Sequence, residues 1–238
     1  MYSLAFMAVA LLDFAVLVWA ARLCLRYRTS GLIFASIPLT LLWYDNFVIG
    51  IGGTLGEGEL LKGLNTVRFL AHYIALPMTF IAIGAMAREA GFLWAQSKLV
   101  MGAFCTLAVW FILHDLWLFS QSTFYPSCFA DTLRYTTSIS AVTACSPTAE
   151  IGAGTSIPPV PALTMTAMMI LFGVYLWIKI GWKWLTLGSI GALSFFAVPF
   201  GPTGGIFGNI GEPIICAVII ATAAHIARRR TCLPASSA

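Results

Sequence analysis

Apolar residues gather into seven stretches, at 4–21, 32–51, 67–86, 99–119, 160–178, 184–200 and 206–227, with polar residues collected between them. None shows the strict alternation of a half-buried strand. Most approach the roughly 20 residues that a helix needs to cross a hydrocarbon core. Lipid supplies no hydrogen-bond partner, so a spanning segment must be a helix or part of a closed barrel. Barrel strands alternate over segments of about ten residues, and that pattern is absent. The chain is therefore expected to be all-α: one integral-membrane domain over residues 1–238, a bundle of seven transmembrane helices. The sixth stretch is short. The seventh follows a glycine-rich run, 201–213, that ends in Glu212-Pro213. There the helix either starts at Pro213 or is kinked.

Composition narrows the partners. The chain is 60% hydrophobic and 9% charged, with a mean hydropathy of +0.91. A soluble domain carries about 25% charged residues. The expected partners are the lipid bilayer and a hydrophobic small molecule, with no nucleic acid. The one basic run, Arg228-Arg229-Arg230, directly follows an apolar stretch and reads as a cytoplasmic boundary.

Charge also sets an expected orientation. Arg22, Arg26, Arg28, Arg88, Lys98, Lys179, Lys183 and Arg228 to Arg230 fall on one side, ten of the 13 Lys and Arg. Lys62, Arg68 and Arg134 fall on the other. The rule that positive loops stay inside puts the amino terminus exoplasmic and the carboxy terminus cytoplasmic. The first stretch has its basic cluster after the apolar run and carries Asp13, so it is read as a retained span. The expected location is a multi-pass protein of the endoplasmic reticulum, or of the inner membrane if bacterial. Cys128 and Cys145 share the long exoplasmic loop 120–159, where a disulfide is plausible chemistry.

Most ionisable residues within the stretches lie near one depth. Asp45 and Asn46 close the second, after Trp43 and Tyr44. Arg68 and His72 open the third, His114 and Asp115 end the fourth, and Glu212 opens the seventh. Charges inside a bilayer are costly, so such a cluster marks a functional site. Arg68 and His72 are four apart and share a helix face. Arg68 can hold Asp45 ionised, or bind a phosphate or carboxylate head group. It can equally form a structural ion pair that locks two helices. His114 beside Asp115 is an acid–base element or an interfacial pair. Glu212 is a carboxyl group in an apolar setting, able to keep and deliver a proton, or else a helix cap. Asp13 has no partner on its own helix and is expected to find one across the bundle. Trp43, Tyr44, Trp110 and Trp117, with Phe195 and Phe196, surround these positions with aromatic faces that can stabilise a cation.

A strong acid among aromatic rings is what carbocation chemistry needs. In this plan the chain resembles the small membrane-bound terpene cyclases of fungal meroterpenoid pathways. The matching features are Trp43-Tyr44-Asp45-Asn46 in the second span and Glu212 in the seventh. One branch of that group carries Asn-x-x-Trp-Glu in its second span, where this chain has Trp-Tyr-Asp-Asn. The resemblance implies protonation-initiated cyclisation by intramembrane carboxylates, with no metal and no cofactor. Glu212, Asp45, His114 and Asp115 are then the catalytic candidates. Arg68, His72, Asn46, Trp43, Tyr44, Trp110 and Trp117 are the substrate-binding candidates. Two alternatives remain: a metal-dependent lipid hydrolase using His72, His114, Asp45, Asp115 and Glu212, and a transporter or assembly subunit.

Overall fold

The computed structural model describes residues 1–146, 148, 150–154, 160–198 and 205–232. In chain order these form helices α1 (Tyr2–Tyr27), α2 (Ser30–Leu55), α3 (Glu59–Ala75), α4 (Met78–Glu89), α5 (Leu93–Gln96) and α6 (Lys98–Ser120). A strand pair, β1 (Tyr125–Phe129) and β2 (Thr132–Thr136), follows. Helices α7 (Val160–Ile180), α8 (Trp184–Phe196) and α9 (Ile206–Cys232) complete the fold. Hydrophobicity runs round most of these helices rather than along one stripe, as expected where the outer face meets lipid.

Six helical segments are long and apolar enough to cross a membrane: α1, α2, the α3–α4 unit (Glu59–Glu89), α6, α7 and α9. The protein is a multi-pass membrane protein. The expected sixth span is an apolar helix of 13 residues, α8; residues 199–204, which follow it, lie outside the described set. Chemistry at the ends agrees with these boundaries. Thr29 caps α2 by accepting the Leu32 N–H, and Ser97 caps α6 by accepting the Leu99 N–H. Pro77 divides α3 from α4 because it has no N–H to give. The chain tightens there by one turn, with Thr79 N–H bonding to Leu76 O at 3.0 Å, and then continues.

The two ends of the bundle are built differently. At the basic end the connections are short and the helix ends are tied directly. Gly31 N–H donates to Glu89 Oε1 at 2.9 Å, Arg228 Nε to the Tyr27 hydroxyl at 3.1 Å, and Arg229 Nη1 to Ile180 O at 3.2 Å. Beneath them lies the main core, including Leu32, Phe80, Ile83, Met86, Leu176, Leu185 and Ile220. Gly173 lets α7 close on α8: a Cβ there would lie 2.6 Å from the Thr186 nitrogen.

At the other end the long loop folds into a small lid. β1 and β2 form an antiparallel hairpin, with Cys128 opposite Leu133 and Phe129 opposite Thr132. The expectation of a purely helical chain has this exception; no alternation long enough to announce it exists in ten residues. A Cys128–Cys145 disulfide and the Cys128 N–H to Thr143 O bond (2.8 Å) tie the following segment to β1. The lid sits on the end of α2, where the Leu133 carbonyl occupies the space of a side chain at Gly52. Asp131 fastens it to α1. Its carboxylate meets the amino group of Met1 and accepts the N–H of Tyr2 (2.7 Å) and of Ser3 (3.3 Å).

Candidate active site

Asp45 and Asn46 are successive residues of α2, about 100° apart around the helix, and they serve two different neighbourhoods. Asn46 is fully buried and faces α1 and α9. Its Nδ2 donates to Glu212 Oε2 at 2.7 Å, to Asp13 Oδ2 at 3.0 Å and to Leu42 O at 3.1 Å. The nitrogen side of the amide faces both carboxyl groups, and its two hydrogens are shared among three acceptors. The amide oxygen accepts from Asn209 Nδ2 at 2.8 Å. Asp13 therefore has the cross-bundle partner expected of it, although its Oδ1 has no hydrogen bond.

Asp45 faces α3. Its Oδ1 lies 3.5 Å from Arg68 Nε and 3.7 Å from His72 Nδ1. Asn209 Nδ2 reaches its Oδ2 at 3.4 Å. These separations exceed the 2.7–2.9 Å typical of a tight charge-assisted bond, so Asp45 has a cationic neighbour in Arg68 and an imidazole in His72 without being clamped by either. Arg68 is held instead from the lid: its Nη2 donates to Tyr135 O at 3.2 Å, and its guanidinium lies 4.6 Å from the Phe69 ring centre.

These groups line a cavity of about 440 Å³, within the range of small-molecule sites. Asp45 and Leu42 come from α2; Arg68, Phe69, His72 and Tyr73 from α3, with Leu76 at its C-cap; Asp115 from α6. The lid and the residue after it add Arg134 and Thr137. Ala162, Met165 and Thr166 come from α7, Phe196 from α8, and Asn209, Glu212 and Ile215 from α9. Helical spacing explains the set, since 68–72–76 on α3 and 209–212–215 on α9 each repeat at one turn. Arg134 belongs to the lid. Burial and the neighbouring Arg68 charge push its guanidinium down to about 10, against the opposing pull of Asp45.

The structure thus brings Asp45, Arg68, His72, Asp115 and Glu212 to one cavity, with Asn46 directly behind two of them. His114 is placed elsewhere. Its ring is half exposed and its Nδ1 reaches round to Asp115 Oδ1 at 3.0 Å. Trp110 and Trp117 are 65% and 58% exposed on the outer face of α6, and neither lines the cavity. The reason is rotational: His114 and Asp115 are adjacent, so turning Asp115 inward turns His114 toward the rim. Trp43 packs on Phe14 and Phe47, and Tyr44 donates to Leu64 O at 3.1 Å, so both tie helices together outside the cavity. Glu212 is not a cap, because α9 begins six residues before it and passes through Pro213. Among the described residues no three His, Cys, Asp or Glu side chains are grouped to hold a metal ion. The donor set of the hydrolase alternative, which includes His114, is not assembled.

Sequence reasoning missed Arg134 and Asn209. Asn209 was legible, three residues before Glu212 on the same face. Arg134 was not, because only the fold of the lid carries it inward. No protein-family model matches the chain, and no curated protein matches its sequence.

Proposed function

We propose that this protein is a membrane-embedded enzyme that cyclises an isoprenoid or lipid-like substrate by protonation. The observation that carries this reading is the unequal company of two cavity carboxyl groups. Asp45 lies among Arg68 and His72. Glu212 is bonded to a neutral amide and has no ion-pair partner among the described residues. Paired carboxyl groups in contrasting surroundings divide acid and base roles between them. Glu212 is assigned the acid: its O–H proton adds to a terminal alkene or epoxide. Phe69, Tyr73 and Phe196 line the cavity and are assigned to stabilise the cationic carbon that results. Asp45 is assigned the base that removes a proton from the final cation. One proton enters and one leaves, so the product is an isomer of the substrate. Asn46 is a positioning residue, holding the Glu212 carboxyl by one oxygen.

The topology proposed with it has seven spans, α8 included, and an exoplasmic lid. Cysteine labelling that found Ser138 and Arg229 on the same side would refute it. For the chemistry, purified protein is incubated with farnesyl and geranylgeranyl compounds, with and without a terminal epoxide. The expected result is a product of unchanged mass and altered retention, formed equally in the presence of a strong chelator. Consumption that requires an added metal, or a product gaining water or losing an acyl group, would overturn the reading.

A further inference from the structure

The cavity is graded along its length. α3 enters from the lid end, so Arg68 is shallow, His72 lies one turn deeper and Leu76 another, about 12 Å in all at 1.5 Å per residue. At the shallow end two guanidinium groups, Arg68 from α3 and Arg134 from the lid, share the wall with Thr137. At the deep end the wall is Leu42, Leu76, Met165 and Ile215. The same four residues border a second void of about 20 Å³ that is almost wholly apolar. Asp45 and Glu212 lie at the junction, each one turn from a deep apolar residue, Leu42 and Ile215.

We propose that the lid end of this cavity is a subsite for the anionic head, a carboxylate or a phosphate, of an amphiphilic substrate whose apolar chain runs toward the basic end. The proposal rests on the reading of this cavity as the substrate site. Arg68 and Arg134 bring two positive charges to the shallow end, where Asp45 acts on both, and an anionic head adds a second acceptor suited to planar guanidinium forks. The depression of Arg134 by burial and by Arg68 agrees with that placement. Arg68 is pre-oriented, since Tyr135 O holds one of its nitrogens and Asp45 Oδ1 lies 3.5 Å from its Nε. An amphiphile fixed by its head brings the same stretch of chain to Glu212 every time, and orientation is itself a large part of catalysis.

The test compares farnesyl phosphate, farnesol and inorganic phosphate on the full chain in phosphatidylcholine nanodiscs, by saturable binding. Farnesyl phosphate is expected to bind about tenfold more tightly than farnesol. Millimolar inorganic phosphate is expected not to displace it, because the head alone lacks the chain contacts. Arg134→Gln should abolish the preference for phosphate while retaining farnesol binding. Glu212→Gln should keep the preference. Equal binding of the alcohol and the phosphate by the native chain would overturn the proposal without recourse to any variant. So would a preference that survives Arg134→Gln, or displacement by inorganic phosphate alone. The acid chemistry is judged separately: a native chain that prefers the phosphate yet isomerises nothing removes the cyclase and leaves the head-group subsite standing.

Discussion

The lid half and the basic half of this bundle solve opposite problems with the same helices. In the basic half, α2, α4, α7, α8 and α9 meet through Leu32, Phe80, Leu176, Leu185 and Ile220, all essentially inaccessible. In the lid half the same α2 and α9 carry Asp45, Asn46, Asn209 and Glu212, and α3 and α7 stand apart around a cavity. Buried polar groups and empty space both lower stability. The contrast teaches that the fold is secured at one end, leaving the other free to hold unsatisfied chemistry. A single α2 helix takes part in both tasks, and the switch occurs between Leu42 and Asp45, within one turn.

The sharpest way to separate the halves is to remove reactivity from one without disturbing the other. Glu212→Gln keeps the shape and the Asn46 contact but has no proton to give. Turnover should fall by at least the roughly 10²–10⁴-fold that general acid catalysis supplies, with an unchanged unfolding temperature. Asp45→Asn should fall less, because Arg68 and His72 remain to order the site. Full activity in both variants would sink the division of roles. The reverse experiment attacks the basic half. Gly173→Leu forces a side chain into Thr186 and should lower stability by about 1–3 kcal/mol, read by unfolding in detergent. Its residual folded fraction should keep native turnover per molecule, and a specific loss of turnover would mean that the halves are coupled.

The lid offers a perturbation confined to one end of the molecule. Replacing Cys128 and Cys145 by Ser opens a loop with a sequence separation of 17, for which chain entropy predicts about 3 kcal/mol. The loss should be local. Hydrogen exchange should quicken in β1, β2 and the segment to residue 146, while α4 and α9 stay protected; uniform acceleration would contradict the two-part picture. The smallest effect concerns Asp131. Its contact with the Met1 amino group, supported by the N–H groups of Tyr2 and Ser3, holds its carboxyl down to about 2. A depressed carboxyl stabilises the fold above its ordinary value of 3.8 and loses that contribution as pH falls toward 2. Asp131→Asn should therefore shift unfolding slightly at neutral pH and markedly less near pH 2. A shift of equal size at both would remove the electrostatic account.

How far the sequence revealed these features depends on the range of the interactions. Six of the seven expected spans were legible because hydrophobicity is read locally, and so was the pairing of Asp45 with Arg68, each a few residues from a span end. The sequence left open whether α9 starts at Pro213 or runs through it, and the helix, beginning at Ile206, runs through it. The lid was illegible. Five-residue strands of mixed character pair only because Gly52 leaves room for Leu133 and Asp131 anchors on α1. Arg134 inherits its place from that docking. Trp110 and Trp117 misled because aromatic residues look alike whether they face a cavity or a membrane interface. Asn46 was named for its position beside an acid; its three-way bond to α1 and α9 follows from an angle around α2 that sequence alone leaves open.

Asn46 also imposes an order of assembly. Asp13 and Asn46 are made early and can pair as soon as the first two helices are inserted. Arg68, Asp115 and then Arg134 follow, so a growing chain holds both guanidinium groups and two carboxyl groups of the cavity before Glu212 is made. Glu212 lies on α9, 166 positions after Asn46. The proposed acid is therefore made after every other polar group that lines the cavity. Until α9 docks, the Asn46 amide has a vacant half that only Glu212 and Asn209 can fill, so completion of the bundle and arming of the site are one event.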